Sequence, residues 1–156
     1  MNDWVYENIN DAVYKSGFAT KQEIYEKEVT NLFDYLEKIE KVLKDNKQEQ
    51  ISKYLLGDKL TEANVRLFTT IIRFDQVYVQ HFNCNIGLIC SDFPYLHDWV
   101  RDIYWNCPLV KDIVSFDHIK LRYTKSHPGI NPHHNTPLGP VPHILPLGSN
   151  YMTLSY

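Results

Sequence analysis

The sequence predicts an all-α protein. Three observations carry this: apolar residues recur at helical spacing through most of the first 125 positions, no strand-rich stretch competes with them, and one run, GDKLTEANVRLFTTIIRFD (57–75), is apolar on nearly every side of a helix. A helix of that kind is a buried one, so the others are expected to surround it. Thr61 is placed as its N-cap, its side-chain oxygen accepting from the backbone N–H of Asn64, with Leu60 and Val65 as a hydrophobic staple and Glu62 in the first turn. Ala63, Leu67, Phe68, Ile71, Ile72 and Phe74 complete the apolar surface. Arg66 and Arg73 interrupt it on one face and call for structural partners, of which Asp75 is the nearest.

The other elements follow in order. Trp4, Val5, Ile9 and Val13 form a stripe over residues 3–15, ended by Gly17 at a left-handed C′ position, and a helix starting so soon after Met1 points to something that usually precedes it. Thr20 and Glu23 read as a capping box for the longest helix, 21–44, whose stripe is Tyr25, Val29, Leu32, Leu36, Ile39 and Leu43. The polar patch 44–50 reads as its end. The run Val77–Phe82 is assigned as an extension of the central helix. Pro94 opens a further helix, closed by Cys107 and Pro108, and a last one spans Asp117 to about Lys125. From Pro128, six prolines forbid regular helix, so the chain divides into a helical domain, 1–127, and an extended tail, 128–156, that either wraps the domain or is disordered.

Composition narrows the function. A net charge of −3 with no Lys/Arg stripe argues against nucleic acid, and no apolar run of 18 residues exists for a membrane span. Cys84, Cys90 and Cys107 are odd in number and lack a CxxC pair, which fits reduced cytoplasmic thiols rather than disulfides, zinc or an activated nucleophile. His127, His133, His134 and His143 lie in or beside the tail without acidic or thiol companions, so no metal site is expected and a solvated tail is. Asp117 and His118 are neighbours that diverge on a helix; they read as a cap and a packed imidazole, not a dyad.

Taken together, WVYENINDAVYKSGFAT, LTEANVRLFTTIIRFDQVYVQHFNCN, FDHIKLRYTKSH and INPHHNTPLGP resemble, in order and spacing, the C-terminal domain of the glutathionyl-hydroquinone reductases, the Xi-class, omega-like glutathione transferases. The resemblance implies a glutathione-transferase helical bundle lying behind an N-terminal thioredoxin-like domain, which carries a CPWA-type nucleophilic Cys and most of the glutathione site and is missing here. It implies glutathione as co-substrate, thiol exchange on a glutathionyl-hydroquinone, and a homodimer formed through the helical domain. No catalytic residue then falls in this chain, which is expected to be inactive alone. Tyr14 and Tyr123 match family tyrosines whose hydroxyls contact the aromatic quinol, a role that suits a phenol because it can donate or accept. Asn64 stands where the family usually has Asp, which implies a slightly weaker cap at Thr61, and the HHN of residues 133–135 replaces a shorter apolar segment. The alternative is a truncated, non-catalytic interaction module.

Overall fold

The computed structural model describes residues 1–140 together with Ile144 and Pro146; His143 and the closing GSNYMTLSY stretch lie outside the described residues. Among these, all regular structure is helical. The chain opens with α1 (Asn2–Val5), a first π-turn (Tyr6–Asn10) and α2 (Ala12–Gly17) in near-continuous succession. Val5, Ile9, Ala12 and Val13, all fully buried, point inward from it. Gly17 does not end this helix in a left-handed conformation. It lies within α2, and a Cβ there would sit 2.1 Å from the Phe82 ring, so what the position requires is close approach.

The long helix α3 (Gln22–Gln48) has Lys21, in extended conformation, as its N-cap, and no side chain caps it, so the Thr20–Glu23 capping box does not form. At its other end α3 runs through most of the polar patch expected to break it. Lys, Gln, Asn and Asp are compatible with a helix, and Asn46 Nδ2 donates to Tyr54 O (2.9 Å) while Lys47 pairs with Asp98 (2.9 Å). The helix ends where Gln50 turns to φ 54° and Ile51 N–H reaches back to Asn46 O (3.0 Å). Its stripe, Val29, Leu32, Phe33, Leu36, Ile39 and Leu43, is buried against α2 and the later helix α7 (Pro94–Asn106).

The central helix α4 (Glu62–Arg73) touches α1, both π-turns and α7. Ala63, Asn64, Leu67, Phe68, Ile71 and Ile72 are buried, but Val65 is 49% exposed and Arg66 and Thr69 are exposed too. The expectation of burial on all sides is therefore corrected: helices cover one side, and the other opens onto a cavity. Thr61 is the N-cap residue by conformation, yet its hydroxyl accepts from the side-chain Nδ2 of Asn64 (2.8 Å), not from the backbone. Asn64 in turn accepts from Leu55 N–H at Oδ1 (3.2 Å), tying the preceding loop to the helix. Asp75 does not serve the arginines either. Arg66 pairs with Glu62 (2.8 Å), Arg73 donates to Thr69 O, and Asp75 accepts from Ile89 and Cys90 N–H (2.8 and 3.0 Å).

A second π-turn (Phe74–Tyr78) continues α4 into α5 (Val79–His81), extending the helix as expected but with one extra residue per turn, which re-aims every side chain after it. Asp75 thereby caps the short α6 (Ile89–Asp92). Glu40 of α3 caps α7, accepting from Tyr95 and Leu96 N–H (2.9 and 2.7 Å), with Pro94 in its first turn. After α8 (Val110–Ile113), Ser115 caps α9 (Phe116–Ser126) by accepting from His118 N–H (3.3 Å). His118 itself is exposed, not packed. The described part of the tail wraps the domain. Lys120 Nζ donates to the carbonyls of Leu138 (3.0 Å), Gly139 and Pro140 (3.3 Å each), and Trp105 Nε1 donates to Ile144 O (3.0 Å).

Candidate functional site

A cavity of about 620 Å³ lies along the uncovered side of α4, walled opposite by α8 and α9. That volume fits a drug-sized aromatic molecule. Val65, Phe68, Ile72, Val110, Ile113 and Ile119 give it an apolar lining, and the exposure of Val65 is exposure into this space. Leu60 and Asn64 belong to its wall, so the loop tie made by Asn64 also shapes the cavity. Arg73, His118 and Arg122 add cationic or titratable groups.

Tyr14, Tyr123 and His127 also line the cavity. The Tyr14 and Tyr123 hydroxyls, 109 residues apart in sequence, are 2.9 Å from each other. The structure thus brings together the two tyrosines singled out from the sequence. It also adds a third: Tyr78 OH lies 2.9 Å from the same Tyr123 oxygen, which therefore bridges two phenols. Burial, followed by the hydrogen bond with Tyr123, pushes the Tyr14 phenol up to about 12; burial pushes Tyr78 up as well, with Tyr123 adding to the shift. Both stay protonated at neutral pH, so each has a proton to donate.

The support under the phenols is aromatic. Phe82, fully buried, stacks on Tyr78 (centroids 5.6 Å apart, planes 7° apart) and packs against Tyr14 at 5.1 Å. The bare backbone of Gly17 lets the Phe82 ring in, which links the GFA of the first motif to the HF of the second. Beside it, His81 Nε2 and His127 Nδ1 are 2.9 Å apart, and Phe18 meets His127 edge-on at 5.4 Å. His127, expected in a solvated tail, is part of this cluster instead. Both imidazoles are held below the usual histidine range: burial comes first for each, then the opposing His127 for His81 and Arg122 for His127. One nitrogen of the contact must donate and the other accept, so at least one ring is neutral.

Sequence reasoning missed Tyr78, Phe82, His81 and His127. The i, i+4 series Phe74, Tyr78, Phe82 was a signal that these rings share a helix face. Nothing local announced the π-turn that aims them at α9. The cysteines stand apart from the cavity lining. Burial pushes both Cys84 and Cys90 up to about 12, with Asp75 adding to the shift at Cys90, so neither is a thiolate at neutral pH. Among the described residues no cluster of His, Cys, Asp and Glu has metal-binding geometry.

The chain is similar to known proteins over most of its length. The family model for the glutathione S-transferase C-terminal domain matches residues 22–102. Glutathione S-transferase omega-like 2 of Saccharomyces cerevisiae is 51% identical over 160 residues, which cover 94% of this chain and 43% of that protein. Glutathionyl-hydroquinone reductase YqjG of Escherichia coli is 44% identical over 140 residues, 90% of this chain and 40% of that one. The crystal structure of the Xi glutathione transferase ECM4 from Saccharomyces cerevisiae in complex with glutathione superposes with a TM-score of 0.86 at 50% identity, covering 94% of this chain and 45% of that one. The chain therefore spans less than half the length of the curated relatives it matches.

Proposed function

The chain belongs to the family of glutathione S-transferase C-terminal domains, and from that premise we propose that it is the part of a glutathionyl-hydroquinone reductase that binds the aromatic substrate. The observation that carries this is the pair of cavity-lining phenols, Tyr14 and Tyr123, joined at 2.9 Å beside an apolar space large enough for a substituted quinol. The curated relatives, more than twice as long as the matched segment, support a division of labour in which a thioredoxin-like domain outside these 156 residues holds most of the glutathione and supplies the nucleophilic Cys.

In the proposed reaction a quinol oxygen takes carbonyl character as the ring carbon bearing sulfur gains a proton. The thiolate then attacks that sulfur, the C–S bond breaks, and the electron pair returns to the ring to give the hydroquinone. Carbon is reduced and sulfur oxidised to a mixed disulfide, which a second glutathione thiolate resolves to glutathione disulfide and free Cys thiolate. The contribution of this chain is to hold the ring in a dry slot and to hydrogen-bond the oxygen whose charge changes. Homodimerisation through the helical domain and a cytoplasmic location, which accords with the three unpaired thiols, belong to the same proposal.

Titration with a substituted 1,4-hydroquinone, followed by tyrosine fluorescence, tests the reading. Tyr14→Phe and Tyr123→Phe should each weaken binding about tenfold, the size of one net hydrogen bond. Binding that is absent in the parent, or unchanged in both variants, rejects the quinol site and leaves a non-catalytic interaction module as the better account.

A further inference from the structure

We propose that the cavity selects aromatic ligands whose ring carries a carboxylate, and that Arg73 is the residue that receives that anion; this rests on the cavity being a quinol site. Arg73, His118, Arg122 and His127 line the cavity, and among the described residues no Asp or Glu does, in a chain whose net charge is −3. The imidazole of His127 is held below the usual histidine range, by burial first and then by Arg122, and the two guanidiniums are the charges that do not titrate. Their settings differ. Arg122 is exposed on α9 and donates to Ser126 Oγ, so solvent and salt screen it. Arg73 is half-buried on α4, where Thr69 and Ile72 line the same cavity. Its guanidinium donates to the Thr69 carbonyl of its own helix; among the described residues its other N–H groups have no acceptor and no carboxylate pairs with it. Arg66, two turns earlier, shows the contrast, being paired with Glu62 (2.8 Å). A half-buried cation without a counter-ion keeps its desolvation cost, and an anion brought by a ligand offsets it.

The place of Arg73 fixes where such an anion sits. Arg73, Tyr14 and Tyr123 line both the cavity and an adjoining space of about 420 Å³, whose wall includes Asn10 and Thr70. The guanidinium is thus at the junction, beside the phenols: burial raises Tyr14 and Tyr78, and the charge of Arg73 offsets part of the rise in both. Asp11, on the wall of the adjoining space, is already paired with Lys15 (2.9 Å). A ring lying against Phe68 and Ile72 can set a hydroxyl on the Tyr14–Tyr123 pair and a carboxylate on Arg73, whose planar fork matches the two oxygens. An uncharged quinol leaves the guanidinium unpaired. The glutathionyl group of the proposed substrate also carries carboxylates, a second source of the same chemistry that the test separates from the first.

The probes are 2,5-dihydroxybenzoate, its uncharged counterpart 2,5-dihydroxybenzamide, and unsubstituted 1,4-hydroquinone, titrated calorimetrically at neutral pH and low salt. The parent should bind the benzoate at least about tenfold more tightly than the benzamide. Added KCl at about 0.5 M should erode that preference without moving the benzamide. Arg73→Gln should bring the benzoate within about twofold of the benzamide and leave benzamide and hydroquinone near their parent values. Arg73→Lys, which retains the charge but not the fork, should keep part of the preference, and this arm and the salt dependence stand even if the Gln variant folds poorly. Equal affinity for benzoate and benzamide in the parent overturns the proposal, as does a preference that survives Arg73→Gln or vanishes in Arg122→Gln instead, or a loss of all three probes together in a folded Arg73→Gln. In each of these cases hydroquinone binding by the parent keeps the site. Reduced glutathione that displaces the benzoate at equal concentration assigns Arg73 to the glutathionyl carboxylates and overturns the ring anion as well. If none of the probes binds the parent, or Tyr14→Phe and Tyr123→Phe leave hydroquinone binding unchanged, the quinol site falls and takes the anion selectivity with it.

Discussion

Asn64 shows how one side chain serves fold and cavity at once. It is fully buried, and its amide uses both ends: Nδ2 donates to Thr61 Oγ1 and Oδ1 accepts from Leu55 N–H. A carboxylate here could accept from Leu55 N–H and from the Thr61 hydroxyl turned to donate; the amide makes the same two contacts with the second bond reversed. Asn64→Ala should cost about 1–3 kcal/mol, since it strands a buried backbone donor, while Thr61→Ala should cost about 1 kcal/mol, because it uncaps no backbone N–H and leaves without its acceptor one N–H of the Asn64 amide, whose carbonyl keeps its bond to Leu55. Urea melts compare the two; equal midpoint shifts would mean that the tie to Leu55 contributes nothing. The His81–His127 contact makes a second residue-scale prediction. Both pKa values are lowered in the fold, so the neutral forms are the ones favoured by folding. Their contribution is fully present above about pH 6.5, the ordinary histidine value, and is lost as pH falls below it toward the folded-state values. His81, Arg122 and Tyr123 are the titratable and charged neighbours that face His127. His127→Phe, which keeps a ring against Phe18 and Phe82, should flatten the fall in urea midpoint between pH 7 and 5. A slope as steep as the parent's would place the acid sensitivity elsewhere.

Among the elements, what was legible in the sequence is what depends on a helix's own residues. The stripe of α3 and Pro94 at the start of α7 could be read directly, because periodicity and fixed φ act locally. The failures were caps and breaks whose partners come from elsewhere in the chain. Glu40 caps α7 from 55 residues away, and Asp75 caps α6 across a loop, so neither carboxylate can be assigned from neighbours in sequence. Gly17 illustrates the same limit: its sequence context suits a helix end, while the reason for it is a ring 65 residues later. The site divides the same way. Tyr14 and Tyr123 were found through motif resemblance, and their meeting, together with Tyr78, depends on a π-turn that no residue pattern marks. Gly17→Ala tests the Gly17–Phe82 contact. A methyl 2.1 Å from a fully buried ring cannot be accepted without moving Phe82, so the variant should lose about 1–3 kcal/mol by overpacking and also weaken hydroquinone binding through the displaced support of Tyr14 and Tyr78. Destabilisation with unchanged ligand affinity would separate the packing role from the site.

For the molecule as a whole, the question is what this domain can do by itself. Trp4 is half-buried and packs edge-on against Tyr35, Tyr123 is buried, and Tyr6, Tyr14 and Phe18 are the exposed aromatics on this succession of helices. Binding and turnover should therefore separate. The 156-residue chain should bind a hydroquinone yet show no glutathione-dependent reduction of a glutathionyl-hydroquinone, because the thiols of buried Cys84 and half-buried Cys90, both held up to about 12, are protonated at neutral pH. Replacing Cys84, Cys90 and Cys107 together with Ser should leave that baseline where it is; turnover in the parent that vanishes in the triple variant would place a working nucleophile in this chain. Assembly is argued from the same surface. If the proposed homodimer forms through the helical domain, sedimentation velocity should show one discrete dimer that persists on dilution and in added salt, since a packed two-fold interface is saturable. Association through exposed aromatics alone has no closing symmetry and should give a broad distribution that grows with concentration, and Tyr6→Ser with Phe18→Ser should abolish it while leaving a true dimer intact. A clean monomer at tens of micromolar would rule out the dimer as a property of this domain and assign any assembly of the full-length protein to contacts outside it.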